Sequence, residues 1–222
     1  MKVKFVLLCE GISDSPLVDV LRSLLIEAGA SAASGEPVAV TGTVESKIRN
    51  LLTSTPELDL VFVHRDADSR DPQPRYDEIQ SGALAGGWEK DLVGVVPVQT
   101  TEAWLLTSES EIREVAGRRN GKTPLNLPNH SEIERTADAK GRLHEAYMLA
   151  SESTGRRRKA VAKSFGSRRA ALLQRLDING DVCKLNSFAR LRDDIRAVVA
   201  EMASRPKETP DVDSDQSQQA SD

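Results

Sequence analysis

The chain has 222 residues, with 30 lysines and arginines against 34 acidic residues, a formal net charge of -4 and 39% hydrophobic residues. This composition excludes fibrous and wholly disordered proteins and predicts a folded domain with a substantial core. No apolar run approaches the roughly 20 residues of a membrane span, and the run over 3–9 is too short for a signal peptide. We therefore expect a cytoplasmic protein with no membrane partner. Neither Cys9 nor Cys183 has a zinc-binding spacing, so a metal here would be a hard cation held by carboxylates.

The first half of the chain alternates predicted strands with predicted helices. An apolar strand over 3–9 ends at Glu10 and Gly11, and apolar residues then follow at helical spacing over 17–28. Further along, the pattern predicts a strand over 37–40, a helix over 44–52, a strand over 58–63, a helix over about 75–85 and a strand over 92–96. This alternation predicts an α/β fold of the Rossmann type, a mostly parallel sheet flanked by helices, with ligands at the carboxyl ends of the strands.

The second half of the chain is predicted to be helical. Residues 120–129 are rich in proline, glycine and asparagine and predict a loop, and helices are predicted over about 133–151, 156–176 and 187–203. We divide the chain into an α/β domain over 1–108, a helical C-terminal region over 109–203 packed on it, and an acidic tail over 204–222. The tail is expected to be disordered because it has almost no apolar residues.

Acidic residues follow two of the predicted strands. Glu10 follows the first, and Asp66 and Asp68, which as residues two apart on an extended segment should point the same way, follow the third. Adjacent parallel strands would bring these carboxylates to one edge of the sheet, and Asp14 is near enough to hold a second ion or to orient the first. Mg²⁺ prefers oxygen ligands and is commonly held by one or two carboxylates plus substrate phosphate. Acids also cap helices and decorate strand ends, but the ordered combination favours a site for phosphoester chemistry.

The segments LLCEGISD and VFVHRDAD, in this order and spacing, resemble the two signatures of the Toprim domain of topoisomerases, primases, RNA-processing nucleases and overcoming-lysogenisation-defect (OLD) family nucleases. The resemblance covers about residues 1–108. The chain also resembles small stand-alone Toprim-like proteins of prokaryotic genomes, in which Pro-x-x-x-x-Glu-Ala-Trp-Leu-Leu follows the fourth strand, here Pro97 to Leu106.

The resemblance implies metal-dependent cleavage of a nucleic-acid phosphodiester with Mg²⁺ or Mn²⁺. It makes Glu10 the acid/base or metal-binding glutamate, Asp66 and Asp68 the metal pair, and Asp14 a ligand of a second ion. Topoisomerase and primase activities are not carried over, because we find no candidate domain for a nucleophilic tyrosine and no zinc-binding segment. Nuclease is the remaining subclass, and the resemblance adds the hypothesis of a separate ATPase partner in defence against phage.

Several other polar residues are candidates. Glu102 either joins the acidic cluster or caps the helix that begins there. Lys140 either stabilises negative charge in the transition state or is an ordinary solvated lysine. His64 and Arg65 flank the aspartates and are expected to be exposed charges at a strand end, although either could contact phosphate.

A basic stretch in the second half predicts a surface for nucleic acid, because an acidic site needs positive charge nearby to attract a polyanion. Its members are Arg156, Arg157, Arg158, Lys159, Lys163, Arg168 and Arg169. A solvated face or a contact for an acidic partner is the alternative. The sequence thus favours a Mg²⁺-dependent nuclease. A non-catalytic Toprim-scaffold subunit that docks through the basic stretch and a hydrolase of small phosphoesters remain open.

Overall fold

The computed structural model describes residues 1–55 and 57–205, which form an α/β fold. Its strands are β1 (Lys2–Cys9), β2 (Ala32–Ala39), β3 (Leu60–His64) and β4 (Asp91–Val95), and its α-helices are α1 (Leu17–Glu27), α2 (Val44–Ser54), α3 (Gln73–Gly86), α4 (Glu102–Leu105), α5 (Glu109–Val115), α6 (Ala139–Ala150), α7 (Gly155–Lys163), α8 (Phe165–Gln174) and α9 (Asn186–Ser204). All strand pairs are parallel, in the order β2-β1-β3-β4. The predicted class, a parallel sheet flanked by helices in a Rossmann-like arrangement and followed by C-terminal helices, is confirmed.

Alternate residues of the strands face two different layers of helices. On β1, Phe5 and Leu7 pack in a core with α1 and the C-terminal helices, whereas Val6 and Leu8 pack against α2 and α3. Both faces of the sheet are therefore covered, as the continuous apolar character of β1 and β3 requires.

The edge strand β2 begins at Ala32, earlier than the predicted start at residue 37. Its first half consists of small and polar residues that lack an apolar pattern, yet it pairs with β1 along its full length. Gly35 lies directly against the Phe5 ring, where an added Cβ would come within 2.4 Å of ring carbons. The small residues thus let the edge strand approach a bulky core side chain.

The C-terminal helices pack on the same face of the sheet as α1. Trp104 is fully buried, donates a hydrogen bond from its indole nitrogen to Ser187 Oγ at 2.9 Å, and meets Phe188 edge to face at 5.1 Å. One hydrophobic core therefore includes side chains from both sides of the predicted boundary near residue 108.

Two predicted helices are interrupted in the structure. The segment 156–176 breaks at Ser164 into α7 and α8, and the segment 133–151 begins with a 3-10 helix, His130–Arg135, before α6 starts beyond Asp138. Asp138 accepts a hydrogen bond from the Gly141 amide at 2.7 Å and so fixes the start of α6. At the C-terminus, α9 continues to Ser204, and residues 206–222 of the predicted tail lie outside the described residues. Within 1–55 and 57–205, we find no helix with the length and apolar character needed to cross a membrane.

Candidate active site at the carboxyl edge of the sheet

The carboxyl ends of β1 and β3 form the crevice where the strand order reverses. The chain passes from β1 to β2 on one side and later to β3 on the other, and ligands of open α/β sheets bind at such a switch point. Leu8 of β1 pairs with Val63 of β3, so Glu10 and Arg65 follow their strands at the same level. Their side chains form an ion pair.

The deepest part of the crevice is a cluster of two carboxylates around one arginine, which we call the inner cluster (Asp14, Glu102 and Arg169). The Arg169 guanidinium donates to Asp14 Oδ1 at 2.8 Å, to Glu102 Oε1 at 2.7 Å and to the Ser13 carbonyl at 2.7 Å. All three side chains are buried. Glu102 therefore shares the Arg169 guanidinium with Asp14, one of the four acids predicted to form the acidic cluster.

The position of Arg169 differs from its predicted place on an exposed nucleic-acid surface. Arg169 is only 7% exposed, whereas Arg168 beside it is exposed, because successive residues of a helix point in different directions. Burial lowers the pKa of Arg169, but the negative charges of Glu102 and Asp14 outweigh burial and raise it above its ordinary value. Arg169 is thus a permanent cation inside the crevice.

A second group joins His64, Asp66 and Thr101 beside the inner cluster. The Thr101 amide and hydroxyl donate to Asp66 Oδ1 at 2.9 and 3.1 Å. His64 Nε2 lies 3.0 Å from Thr101 Oγ1 and 3.5 Å from Asp66 Oδ1. Burial alone would raise the pKa of Asp66, but the hydrogen bonds and charge of His64 and the hydrogen bonds from Thr101 lower it overall. Asp66 is therefore an ionised carboxylate held in one orientation.

The expectation that His64 is exposed is wrong. It is the last residue of β3 and only 1% exposed. Its Nδ1 atom lies 4.0 Å from Asp14 Oδ2 and has no hydrogen-bond partner among the described residues. His64 thus lies between the carboxylates of Asp14 and Asp66.

The rim of the crevice is a chain of alternating charges, Glu10, Arg65, Glu78, Arg75 and Asp68. Arg65 pairs with Glu10 and with Glu78 at 2.7 Å, and Arg75 pairs with Glu78 at 2.7 Å and with Asp68 at 2.7 Å. Arg75 also donates from Nε to the Asp66 carbonyl at 3.1 Å. These contacts orient the loop that carries both aspartates.

Asp66 and Asp68 do not project from an extended strand, as their spacing predicted. β3 ends at His64, and Asp68 has a φ of 53°, in the left-handed region that aspartate tolerates better than most residues. Asp66 consequently contacts Thr101 while Asp68 contacts Arg75.

Three carboxylates outside the inner cluster have oxygen atoms that could bind a magnesium ion; we call them the outer carboxylates (Glu10, Asp66 and Asp68). Glu10, Asp66 and Asp68 each use one oxygen for protein contacts and leave the other without a hydrogen-bond partner in the described part of the chain. Their side chains are 42%, 25% and 63% exposed, which leaves room for water and a phosphate group.

The side chains do not form a complete coordination shell for a metal ion. Among residues 1–55 and 57–205, no group of three or more His, Cys, Asp or Glu side chains is arranged to hold a metal ion. Mg²⁺ is commonly bound by only one or two carboxylates plus substrate phosphate and water, so two of the outer carboxylates would be enough. Asp14 and Glu102 do not fit a metal, because the guanidinium of Arg169 lies between them and they are buried.

Lys47 is a residue of the crevice that the sequence reasoning missed. It is buried, and its ammonium donates to the carbonyl of Cys9, directly before Glu10, at 3.1 Å. Burial and the charge of Arg65 lower its pKa, while the charge of Glu10 opposes that change. Its spacing from Val44 and Leu51 places it on the apolar stripe of α2, which is a signal that could have identified it.

Lys140 and the basic stretch lie outside the crevice, apart from Arg169. Lys140 is exposed in the first turn of α6, and no contact among the described residues joins it to the carboxylates. Helix α7 has no buried residue. The remaining basic candidates are exposed and form no ion pair within the described chain; they are Arg156, Arg157, Arg158, Lys159, Lys163 and Arg168. We call these residues the basic surface.

Comparison of the chain with protein-family models, with curated proteins and with solved structures found no match. The fold and the geometry of the crevice therefore carry the functional argument.

Proposed function

We propose that this protein is a cytoplasmic, Toprim-type nuclease that cleaves nucleic-acid phosphodiesters with Mg²⁺ or Mn²⁺. The observation that carries the proposal is the position of Glu10, Asp66 and Asp68 directly after β1 and β3, at the switch point of a parallel sheet, each with a carboxylate oxygen that has no hydrogen-bond partner in the described residues. The partner hypothesis, an ATPase acting with it in defence against phage, belongs to the same proposal.

Each part of the crevice has a distinct role in this function. Asp66 and one neighbouring carboxylate would hold the ion, which supplies Lewis acidity toward a phosphate oxygen. The hydrogen bonds from Thr101 keep Asp66 oriented, and the lowered pKa keeps it ionised. Glu10, which follows β1 and is 42% exposed, can accept a proton from the attacking water at its unpartnered Oε2 atom.

The basic surface gives the site a means of holding a polyanion. Its cations have no acidic partner in the described chain, so binding phosphates breaks no internal ion pair. Arg169 fixes α8 to Ser13, Asp14 and Glu102, which ties the helix bearing Arg168 to the carboxyl edge of the sheet.

The function is tested by incubating the purified protein with labelled single- and double-stranded DNA and RNA, with Mg²⁺, with Mn²⁺ or with chelator. We expect cleavage of at least one polymer with metal and none with chelator. Failure to cleave all four polymers with either metal would contradict the nuclease.

Metal binding itself is expected to raise the melting temperature. An ion at 100 times its dissociation constant stabilises the folded state by about 2.7 kcal/mol, which corresponds to a rise of roughly 5–10 °C for a chain of this size. Calorimetry of the wild type and of Asp66→Asn/Asp68→Asn, each with chelator and with Mn²⁺, measures this. A rise of equal size in both proteins would place the ion elsewhere.

Neutralising the basic surface is expected to weaken binding to nucleic acid and to reduce its salt dependence. Each phosphate contact contributes about 0.9 to the slope of log K against log salt for duplex DNA and about 0.7 for single strands. The triple variant Arg156→Gln/Arg157→Gln/Arg158→Gln should lower the slope by about 2 for single strands and about 3 for duplex DNA, measured by fluorescence anisotropy in chelator. The matched control Arg118→Gln/Arg119→Gln/Lys122→Gln removes the same charge from exposed positions on another loop, and an equal effect there would refute a specific surface.

One observation favours a second candidate, a non-catalytic subunit on the same scaffold. Arginines already bind Glu10, Asp14, Asp68 and Glu102, so those charges are balanced without a metal. In that case neither melting temperature nor nucleic-acid integrity would respond to Mg²⁺ or Mn²⁺.

A further inference from the structure

A pocket with a volume of about 450 Å³ lies next to the crevice, between the loop after β3, the end of β4 and the start of α9. Its size is within the range of small-molecule sites. The lining residues that matter here are Arg70, Tyr76, Glu134, Arg135, Ser187 and Arg190. We call it the arginine pocket.

Positive charge predominates in this pocket. Arg70 and Arg135 form no ion pair among the described residues, and Arg190 has only a long contact of 3.9 Å with Asp194. The one carboxylate of the lining, Glu134, is already bound by the first amides of α9, from Asn186 at 3.1 Å and Ser187 at 2.8 Å. Arg190 also donates to Gln73 Oε1 at 3.5 Å. The guanidinium groups of Arg70 and Arg135 are therefore left for an anionic ligand.

Tyr76 forms one wall of the pocket. Its side chain lines the pocket, Arg190 stacks over its ring at 3.5 Å, and the residue is only 6% exposed. Its hydroxyl oxygen is buried without a hydrogen-bond partner in the described residues, which is an unfavourable state for a polar group. Burial raises the pKa of Tyr76 to about 12, so the hydroxyl keeps its proton.

The arginine pocket and the carboxylates share one loop. Arg70 follows Asp68 by two residues, and Arg75, directly before Tyr76, donates to the Asp68 carboxylate at 2.7 Å and to the Asp66 carbonyl at 3.1 Å. A ligand in the pocket would thus lie beside the proposed site of cleavage.

We propose that the arginine pocket binds a phosphate monoester, with Arg70, Arg135 and Arg190 contacting its oxygens and the Tyr76 ring forming one wall. A monoester carries up to two negative charges and three acceptor oxygens, which suits several arginines better than the single charge of a diester. The source of the monoester is a free nucleotide or the phosphorylated end of a strand. Recognition of a strand end rests on the proposed nuclease function. It would make cleavage faster for strands that carry a terminal phosphate.

Isothermal titration of the protein with AMP in chelator tests phosphate binding. We expect AMP to bind and adenosine not to bind. Loss of one charged hydrogen bond lowers affinity about tenfold, so Arg70→Gln/Arg135→Gln should weaken AMP binding about 100-fold. Arg118 is exposed and lies outside the pocket, so Arg118→Gln should leave AMP binding unchanged. Absence of AMP binding, equal binding of adenosine, or an unchanged affinity in the double variant would overturn the proposal.

Oligonucleotides identify the source of the monoester. Tighter binding of a 5′-phosphorylated strand than of its 5′-hydroxyl counterpart, lost in Arg70→Gln/Arg135→Gln, supports the strand end. Equal binding of the two strands overturns that part and leaves the free nucleotide. Because these titrations are done in chelator and require no cleavage, failure of the pocket and failure of the nuclease are separate results.

Discussion

Asp66→Asn is expected to lower the rate of metal-dependent cleavage by more than about 100-fold. Replacing a residue that only hydrogen-bonds to a metal ligand already lowers metal affinity or activity by about 10–100-fold, and loss of a ligand should have a larger effect. Asparagine keeps an oxygen that can accept from the Thr101 amide and hydroxyl, so the fold of the loop should be retained. The substitution removes the negative charge and replaces the unpartnered oxygen with an NH2 group, which cannot bind a cation. Initial rates on the preferred polymer, with circular dichroism to verify folding, measure this change.

Asp71→Asn is the matched control for this substitution. Asp71 is an exposed carboxylate of the same loop that accepts a hydrogen bond from the Gln73 amide at 3.0 Å and has no contact with the crevice among the described residues. The Asp71→Asn protein should cleave nucleic acid at the wild-type rate. A folded Asp66→Asn protein that also cleaves at the wild-type rate would rule out Asp66 as a ligand.

Arg169→Met is expected to destabilise the protein by about 3–5 kcal/mol, because it leaves two buried carboxylates without their cation. The melting temperature should fall by roughly 10 °C. Arg168→Met removes the same charge from the adjacent, exposed position and should change the free energy of unfolding by no more than about 0.5 kcal/mol. Urea unfolding of the two variants compares them directly.

Neutralising the partners provides a second test of the inner cluster. If the loss in Arg169→Met comes from unpaired charge, adding Asp14→Asn and Glu102→Gln should recover part of the stability, since amides cost less to bury than carboxylates. A triple variant as unstable as the sum of its single changes would instead attribute the loss to packing.

The fold was largely predictable because its signals are local. The apolar runs of β1 and β3 and the helical spacing of α1 identify elements whose burial is periodic along the chain. Prediction was weakest for β2, where small residues pair with β1 but carry no apolar pattern. It was also weak at Ser164, where the helix breaks within a stretch that has no proline and no acidic residue.

The site was predictable only in its acidic half. Acids directly after adjacent parallel strands must meet at one edge, and Glu10 and the Asp66 loop do meet there. Arg169 could not be placed by such reasoning, because its partners are 155 and 67 residues distant and nothing local distinguishes it from Arg168. His64 looked like an exposed charge because the end of β3 could not be set to within one residue.

The contacts of Arg169 also order events during synthesis. Asp14 and Glu102 leave the ribosome well before α8, which carries their cation, and the core face of the sheet is completed only by the C-terminal helices. Until residue 169 has emerged, the inner cluster is two like charges without a counter-ion, which opposes closure of the crevice. Closure of the inner cluster is thus coupled to synthesis of α8, so a chain that stops before residue 169 would lack a closed crevice.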